Sequence, residues 1–306
     1  MRHISLDLIR VTEAGAISAS NWVGSGEKEK ADKAATDAMR ERLNGIDFSA
    51  TIAIGEGEKD RSYGLFAGEH VGKGSERYEI AIDPIEGTTP TVNSGPEAIS
   101  TIAIAHENCM YKTSCFYARK LAYSKSIKKK VAELSVSEPI EVTLERISIG
   151  MNRPYKKINV CILKRERHME IIEKMRRIGV RIKLINDCDV SGAIAACLPN
   201  SGVDVLYGIG GAPEAVLTAA ALKCLGGGFQ TQDVQEEGGK WVEKSPVLEM
   251  EDLVKGECIF VSTGITDGSI LKGVRWADKG PITNSVFMRS ESGTVRWLTV
   301  EHGNDG

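Results

Sequence analysis

The chain has 306 residues, about twice the roughly 150 of a common domain, so two lobes are expected. With 42% hydrophobic and 26% charged residues it has the make-up of an ordinary globular protein, which excludes disordered, collagen-like and coiled-coil chains. Its 39 basic and 42 acidic residues leave a net charge of -3, so no global field favours nucleic acid or an anionic membrane. No run nears the roughly 18 apolar residues of a membrane span, and the opening residues alternate charge with aliphatics, unlike a signal peptide. The expected location is the cytoplasm. Seven scattered cysteines without a C-x-x-C pair read as reduced thiols. Five histidines form neither H-x-H nor H-E-x-x-H, so any metal would be held by oxygen.

In chain order, Leu6, Ile9, Ala14 and Ile17 recur at helical spacing, and after Gly24 to Gly26 a second helix is expected over Lys30 to Leu43. Thr51–Ile54, Glu79–Ile82 and Ser100–Ala105 are short strand-type runs. Tyr111 to Arg153 is less periodic, carries the charge run Lys128-Lys129-Lys130, and is expected to bridge two lobes, 1–125 and 126–306. From Ile158 the pattern becomes strand, loop, helix three times over. The loops are Lys164 to His168, Asn186 to Asp189, and Gly208 to Glu214. Three βα units imply a parallel sheet with these loops at one edge, where ligands of such sheets bind. Gly226 to Lys244 is polar and glycine-rich and is expected to be a mobile loop. Cys258–Val261, Ser285–Arg289 and Val295–Val300 read as further strands.

Two acidic turns carry the strongest chemical signal. Asp83-Pro84-Ile85-Glu86-Gly87-Thr88 follows one apolar strand, and Gly55-Glu56-Gly57-Glu58-Lys59-Asp60 follows another. A single acidic turn is ordinarily solvent-exposed. Asp83, Glu86 and Glu56 at neighbouring strand ends would instead crowd three like charges, which is unfavourable unless cations neutralise them. Carboxylates alone suit Mg²⁺ or Mn²⁺.

These motifs, with Gly26-Glu27-Lys28 leading to Ala31-Asp32 upstream and Tyr207-Gly208-Ile209-Gly210-Gly211-Ala212-Pro213-Glu214 downstream, resemble class II fructose-1,6-bisphosphatase. That family lies within the lithium-sensitive, metal-dependent sugar phosphatases, and the resemblance spans nearly the whole chain. It implies an α/β (mixed α+β) layered αβαβα fold with a metal-binding N-terminal lobe. It also implies metal ligation by Asp32, Glu56, Asp83, Glu86 and Glu214, and Lys28 near the reacting phosphate. In the implied reaction Asp60 and Thr88 orient a metal-bound water that attacks the 1-phosphate of fructose 1,6-bisphosphate. Substrate-binding positions fall on Glu86, Gly87, Thr88, Tyr117, Arg165, Glu166, Arg167, Asp187, Cys188, Asp189 and Gly211. A homo-oligomer, dimer or tetramer, in gluconeogenic carbon metabolism is implied as well. For the substrate that the resemblance implies, Arg165 and Arg167 suit the second, non-reacting phosphate, Asp187 and Asp189 suit the sugar hydroxyls, and the helix opening at Pro213 is expected to offer free N–H groups.

The chain departs from the family pattern at Thr89 to Glu97, at Cys188 where the family has glycine, and in the shorter stretch Gly226 to Leu253. Another sugar or cyclitol phosphate, such as a seven-carbon bisphosphate, is the alternative substrate, and a non-catalytic sugar-phosphate binder is the alternative class. A dinucleotide-binding reading of Gly208 to Gly211 fails because Pro213 stands where G-x-G-x-x-G needs glycine.

Overall fold

A computed structural model describes residues 1, 3–55 and 64–303. The chain divides into two units, Met1–Met110 with Lys255–Gly306, and Tyr111–Val254. In chain order the first unit opens with helices α1 (Ser5–Ser20) and α2 (Lys28–Gly45). Strands β1 (Ser49–Ile54), β2 (His70–Val71) and β3 (Arg77–Glu86), the short helix α3 (Thr88–Val92) and β4 (Ile99–His106) follow.

The second unit runs through β5 (Tyr117–Tyr123), α4 (Lys125–Lys130), α5 (Ile140–Gly150), β6 (Asn159–Leu163) and α6 (Met169–Ile178). Next come β7 (Arg181–Ile185), α7 (Asp189–Cys197), β8 (Val205–Gly211) and α8 (Glu214–Leu225). It ends with β9 (Gly228–Glu237), β10 (Lys240–Glu243), β11 (Leu248–Glu249) and α9 (Met250–Leu253). The chain then returns to the first unit as β12 (Cys258–Gly264), β13 (Arg275–Ala277), β14 (Gly280–Arg289) and β15 (Thr294–Glu301). Among the described residues no helix is long and apolar enough to cross a membrane.

The first unit's eight-stranded sheet has the order β13-β14-β12-β4-β3-β1-β2, with β15 on β14. Its core joins Leu8 and Val11 of α1 and Met39 and Leu43 of α2 to Ile52, Ile80, Ile82, Ile102, Ile259 and Val261 of the strands. Full burial of each such aliphatic contributes about 1.5–3 kcal/mol. The division expected at residue 125 differs from this arrangement for a topological reason. β12 lies between β4 and β14, so the C-terminal strands complete the N-terminal sheet.

The second unit's seven-stranded sheet has the order β10-β9-β5-β8-β6-β7, with β11 on β9. The expected parallel βα arrangement holds for β6 with β7 and for β6 with β8, while β5, β9 and β10 pair antiparallel, so the sheet is mixed. Two expectations are corrected here. Tyr111 to Arg153 is no bridge: it supplies β5, between β8 and β9, together with α4 and α5. Gly226 to Lys244 is no mobile loop but β9 and β10. Polar residues of β9 are buried because the unit supplies their partners: Gln230 donates to Leu134 O at 3.0 Å and Thr231 to Arg119 O at 2.8 Å, and Asp233 accepts from Thr113 Oγ1 at 2.6 Å. Lys128, Lys129 and Lys130 are exposed on α4, as expected of a solvated run.

Candidate active site

In the first unit the acidic turn closes on α2. The β3–β4 ladder steps from Asp83 opposite Thr101 to Glu86 opposite Ile99, so β3 carries one extra residue, a bulge that bends the strand end. Pro84 has no N–H to offer, and Asp83 Oδ1 accepts from the Ile85 N–H at 3.1 Å, which fixes the turn locally. Gly87 then adopts φ 100° and ψ 51°, a left-handed conformation that glycine enters without penalty, and turns the chain into α3. Thr88 Oγ1 donates to Asp32 Oδ1 at 2.8 Å. Lys28, four residues before Asp32 and so on the same face of α2, donates from Nζ to Thr89 Oγ1 at 2.8 Å. Lys28, Asp32 and Thr88 are thus brought together, and Glu86, two residues before Thr88, is buried. Glu56 and Asp60 lie outside the described residues. The carboxylate on the Thr88 hydroxyl in this structure is Asp32.

In the second unit the parallel pairing of β6, β7 and β8 places the basic and acidic loops and the carboxyl end of β8 at one sheet edge, as expected. Gly208–Gly211, however, are not a loop: they continue β8, paired with β5 as far as Tyr117. Tyr117, at the start of β5, stands directly across from Gly211. The Arg167 guanidinium lies 5.0 Å from the Tyr117 ring centre and donates from Nε and Nη2 to Ile209 O at 3.0 and 2.8 Å. Its burial lowers its pKa from the usual arginine value. Arg165 reaches Asp187 Oδ1 at 3.8 Å, linking the basic and acidic loops, while Glu166 is exposed on a 3-10 turn. Cys188 is buried with φ 67° and ψ 56°, the left-handed conformation that the family's glycine takes more readily, and it starts α7 at Asp189.

Two carboxylates sit where two glycines leave room. A Cβ on Gly210 would stand 1.8 Å from Asp189 Oδ2, and one on Gly211 would stand 1.9 Å from Glu214 Oε2. Asp189 Oδ2 accepts from Lys120 Nζ at 2.7 Å, a buried ion pair. Glu214 Oε2 is buried without a hydrogen-bond partner among the described residues. Burial holds the Glu214 pKa above the usual carboxylate range, against the pull of Lys120 and with the help of Asp189. A desolvated carboxylate oxygen without a donor, in a space that a methyl group would fill, fits a hard divalent cation. Among the described residues no group of three acidic, histidine or cysteine side chains is gathered closely enough to hold an ion by itself. Two of the donors expected to be free at the start of α8 are engaged: Ala215 N–H donates to Ala212 O at 3.1 Å and Val216 N–H to Pro213 O at 3.2 Å.

The profile of the family described as bacterial fructose-1,6-bisphosphatase, glpX-encoded, matches residues 2–302. The chain belongs to that family. It is 36% identical to the class 2 fructose-1,6-bisphosphatase of Haemophilus influenzae over 323 aligned positions, covering 98% of this chain and 96% of that protein. Two Synechococcus proteins named D-fructose 1,6-bisphosphatase class 2/sedoheptulose 1,7-bisphosphatase are 34% identical over 339 positions, covering 99% of this chain and 96% of theirs. These spans exceed 306 residues, so the relatives carry segments that this chain lacks. Membership of this bisphosphatase family implies a phosphoric monoester hydrolase dependent on a divalent metal.

Two residues escaped sequence reasoning, and both left a signal. Lys120 alternates with Ala118 and Ala122 along one strand face, a charge among buried alanines. His168 stands four and seven residues before Ile172 and Met175, just ahead of α6 and in line with its apolar stripe. It is fully buried, with Nδ1 on Leu163 O at 2.8 Å and Nε2 accepting from the Ile209 N–H at 2.8 Å.

Proposed function

We propose that this chain hydrolyses the 1-phosphate of fructose 1,6-bisphosphate, releasing fructose 6-phosphate and inorganic phosphate, with Mn²⁺ or Mg²⁺ held by Asp32, Glu56, Asp83, Glu86 and Glu214. The observation that carries this reading is the end-to-end match to class 2 fructose-1,6-bisphosphatases. The ions, when bound, would neutralise charge on the transferring phosphoryl group and acidify the attacking water. The chain's own residues supply the rest. With its proton given to a carboxylate, the Thr88 hydroxyl presents lone pairs and so accepts from water, orienting it for attack; the family assigns that carboxylate role to Asp60. Lys28 places a positive charge beside Thr89, where the reacting phosphate would gather. The new P–O bond forms from water, which gives up a proton, and the C1 oxygen leaves with the electrons of the broken P–O bond and takes up a proton.

Arg165 and Arg167 hold the far phosphate, with Tyr117 and Glu166 beside it. Asp187, Asp189 and the backbone at Cys188 and Gly211 meet the sugar, and Glu86, Gly87 and Thr88 meet the reacting end. A second reading, hydrolysis of sedoheptulose 1,7-bisphosphate by the same site, is favoured by the names of the Synechococcus relatives. The working setting is cytoplasmic gluconeogenic metabolism, as a homo-oligomer. Phosphate release from both bisphosphates, fructose 6-phosphate and an inositol phosphate, with Mn²⁺, Mg²⁺, Li⁺ or EDTA, tests this. Turnover of a ketose bisphosphate that needs Mn²⁺ or Mg²⁺, falls with Li⁺ and stops with EDTA is expected. Full turnover after chelation, or tight sugar-phosphate binding without turnover, would overturn it.

A further inference from the structure

We propose that Lys120 is a positioning residue for the sugar pocket, holding the Asp189 carboxylate in place for the substrate hydroxyls; this rests on the phosphatase reading above. Lys120 lies mid-way along β5 on the face it shares with Ala118 and Ala122, both fully buried, and these small neighbours leave room for its stem. Its Nζ reaches Asp189 Oδ2 at 2.7 Å, with the two side chains 1% and 8% exposed. A lone charge at either position would be costly, so each fixes the other.

Support of the fold alone does not account for the surroundings. Gly210 and Gly211 clear space for the carboxylates of Asp189 and Glu214 in turn, and the Lys120 ammonium lies 3.3 Å from where a Gly210 Cβ would stand. The Lys120 charge is paired with Asp189, assigned to the sugar, and also acts electrostatically on Glu214, assigned to the metal. With Oδ2 committed to Lys120, Asp189 Oδ1 is the oxygen left to accept from a hydroxyl. Lysine here also adds positive charge beside Glu214, so it opposes cation binding while it favours sugar binding. The two effects separate the proposal from a merely structural role, in which loss of Lys120 would loosen both.

The test uses the full chain and the variants Lys120→Met, Asp189→Asn and the two combined. Three quantities are measured: KM and kcat for fructose 1,6-bisphosphate at saturating Mn²⁺, calorimetric affinity for fructose 6-phosphate, and affinity for Mn²⁺ alone. Lys120→Met is expected to raise KM and weaken fructose 6-phosphate about tenfold or more, with a smaller change in kcat and Mn²⁺ bound at least as tightly as before. The double variant should bind sugar no more weakly than Asp189→Asn, because the pair acts as a unit. It carries no unpaired buried charge, so it decides the matter even if Lys120→Met fails to fold. An unchanged KM in Lys120→Met, parallel losses of Mn²⁺ and sugar, or a further tenfold loss from Asp189→Asn to the double variant would each overturn the inference. A wild-type chain without turnover on any ketose bisphosphate would instead sink the phosphatase reading, and this inference with it.

Discussion

Thr88 is the side chain through which the proposed chemistry is most directly tested. Its hydroxyl is held by Asp32 at 2.8 Å and, more loosely, by Ile85 O at 3.4 Å, so its orientation is set by the turn and by α2 together. Thr88→Ala removes the acceptor offered to water and leaves every proposed metal ligand in place. Turnover is expected to fall roughly a hundredfold to ten-thousandfold, with fructose 6-phosphate affinity nearly unchanged. Thr88→Ser keeps the oxygen but loses the β-branch that restricts its rotamer, so it should recover part of the rate. Steady-state kinetics beside product-binding calorimetry reads this, and near-normal turnover in Thr88→Ala would remove the residue from the mechanism. At this scale the sequence was informative about residue type and less so about partner. Arg167 reads as a phosphate ligand, yet two of its nitrogens are committed to Ile209 O, so of the two arginines Arg165 is the less encumbered.

That commitment is explained by the strands. The β6–β8 ladder consists of Val160 with Val205 and Cys161 with Leu206, whereas β8 continues to Gly211. Beyond the ladder, the Ile209 N–H and C=O need other partners, and consecutive residues supply them: His168 Nε2 accepts from the N–H, and Arg167 donates to the C=O. For His168 to accept there, its proton must sit on Nδ1, which faces Leu163 O, so the ring must be neutral. Burial pushes its pKa down to about 4 from 6.5. Between those two values the unfolded chain binds a proton that the folded chain does not. The contribution is therefore complete above about pH 6.5 and is lost as pH falls toward 4, up to about 3 kcal/mol. Urea unfolding at pH 7 and pH 5 should show the wild type losing stability that His168→Gln does not lose; an equal loss in both would assign the pH dependence to other groups. Such side-chain substitution for a ladder was illegible in the sequence because it depends on where β6 stops relative to β8. The same limit hid β9, whose glutamines and aspartate look solvent-exposed until their partners in other segments are known. The periodic helices and the apolar strands before the acidic turn were legible because their patterns need no distant partner.

At the scale of the whole chain, the second unit is an insertion in the first. Cys109 O and Lys255 N meet at 2.8 Å on one side of the crossing, and Tyr111 N and Leu253 O meet at 2.9 Å on the other, so the chain leaves and returns at adjacent points. Each unit also has an apolar core of its own: one drawn from α1, α2 and the strands β1, β3, β4, β12 and β14, the other from β5, α4, α5, β6, α6 and β8. Sequence reading expected two lobes divided once, because composition and periodicity cannot reveal that Cys258–Gly264 pairs with Ile99–His106 across the intervening segment. Two shortened chains test the topology. One ending at Met110 lacks β12 and β14, which exposes the edge of β4 and removes Ile259, Val261 and Phe287 from the core, so it is expected to remain unfolded. One in which a short Gly-Ser linker joins Met110 to Lys255 restores both strands at little loop-closure cost, and is expected to unfold in urea as a single cooperative transition with the circular dichroism of a mixed α/β protein. It lacks Arg165, Asp189 and Glu214, so it should fold without hydrolysing fructose 1,6-bisphosphate. A joined chain without a cooperative transition would show that the N-terminal sheet depends on the inserted segment for its stability.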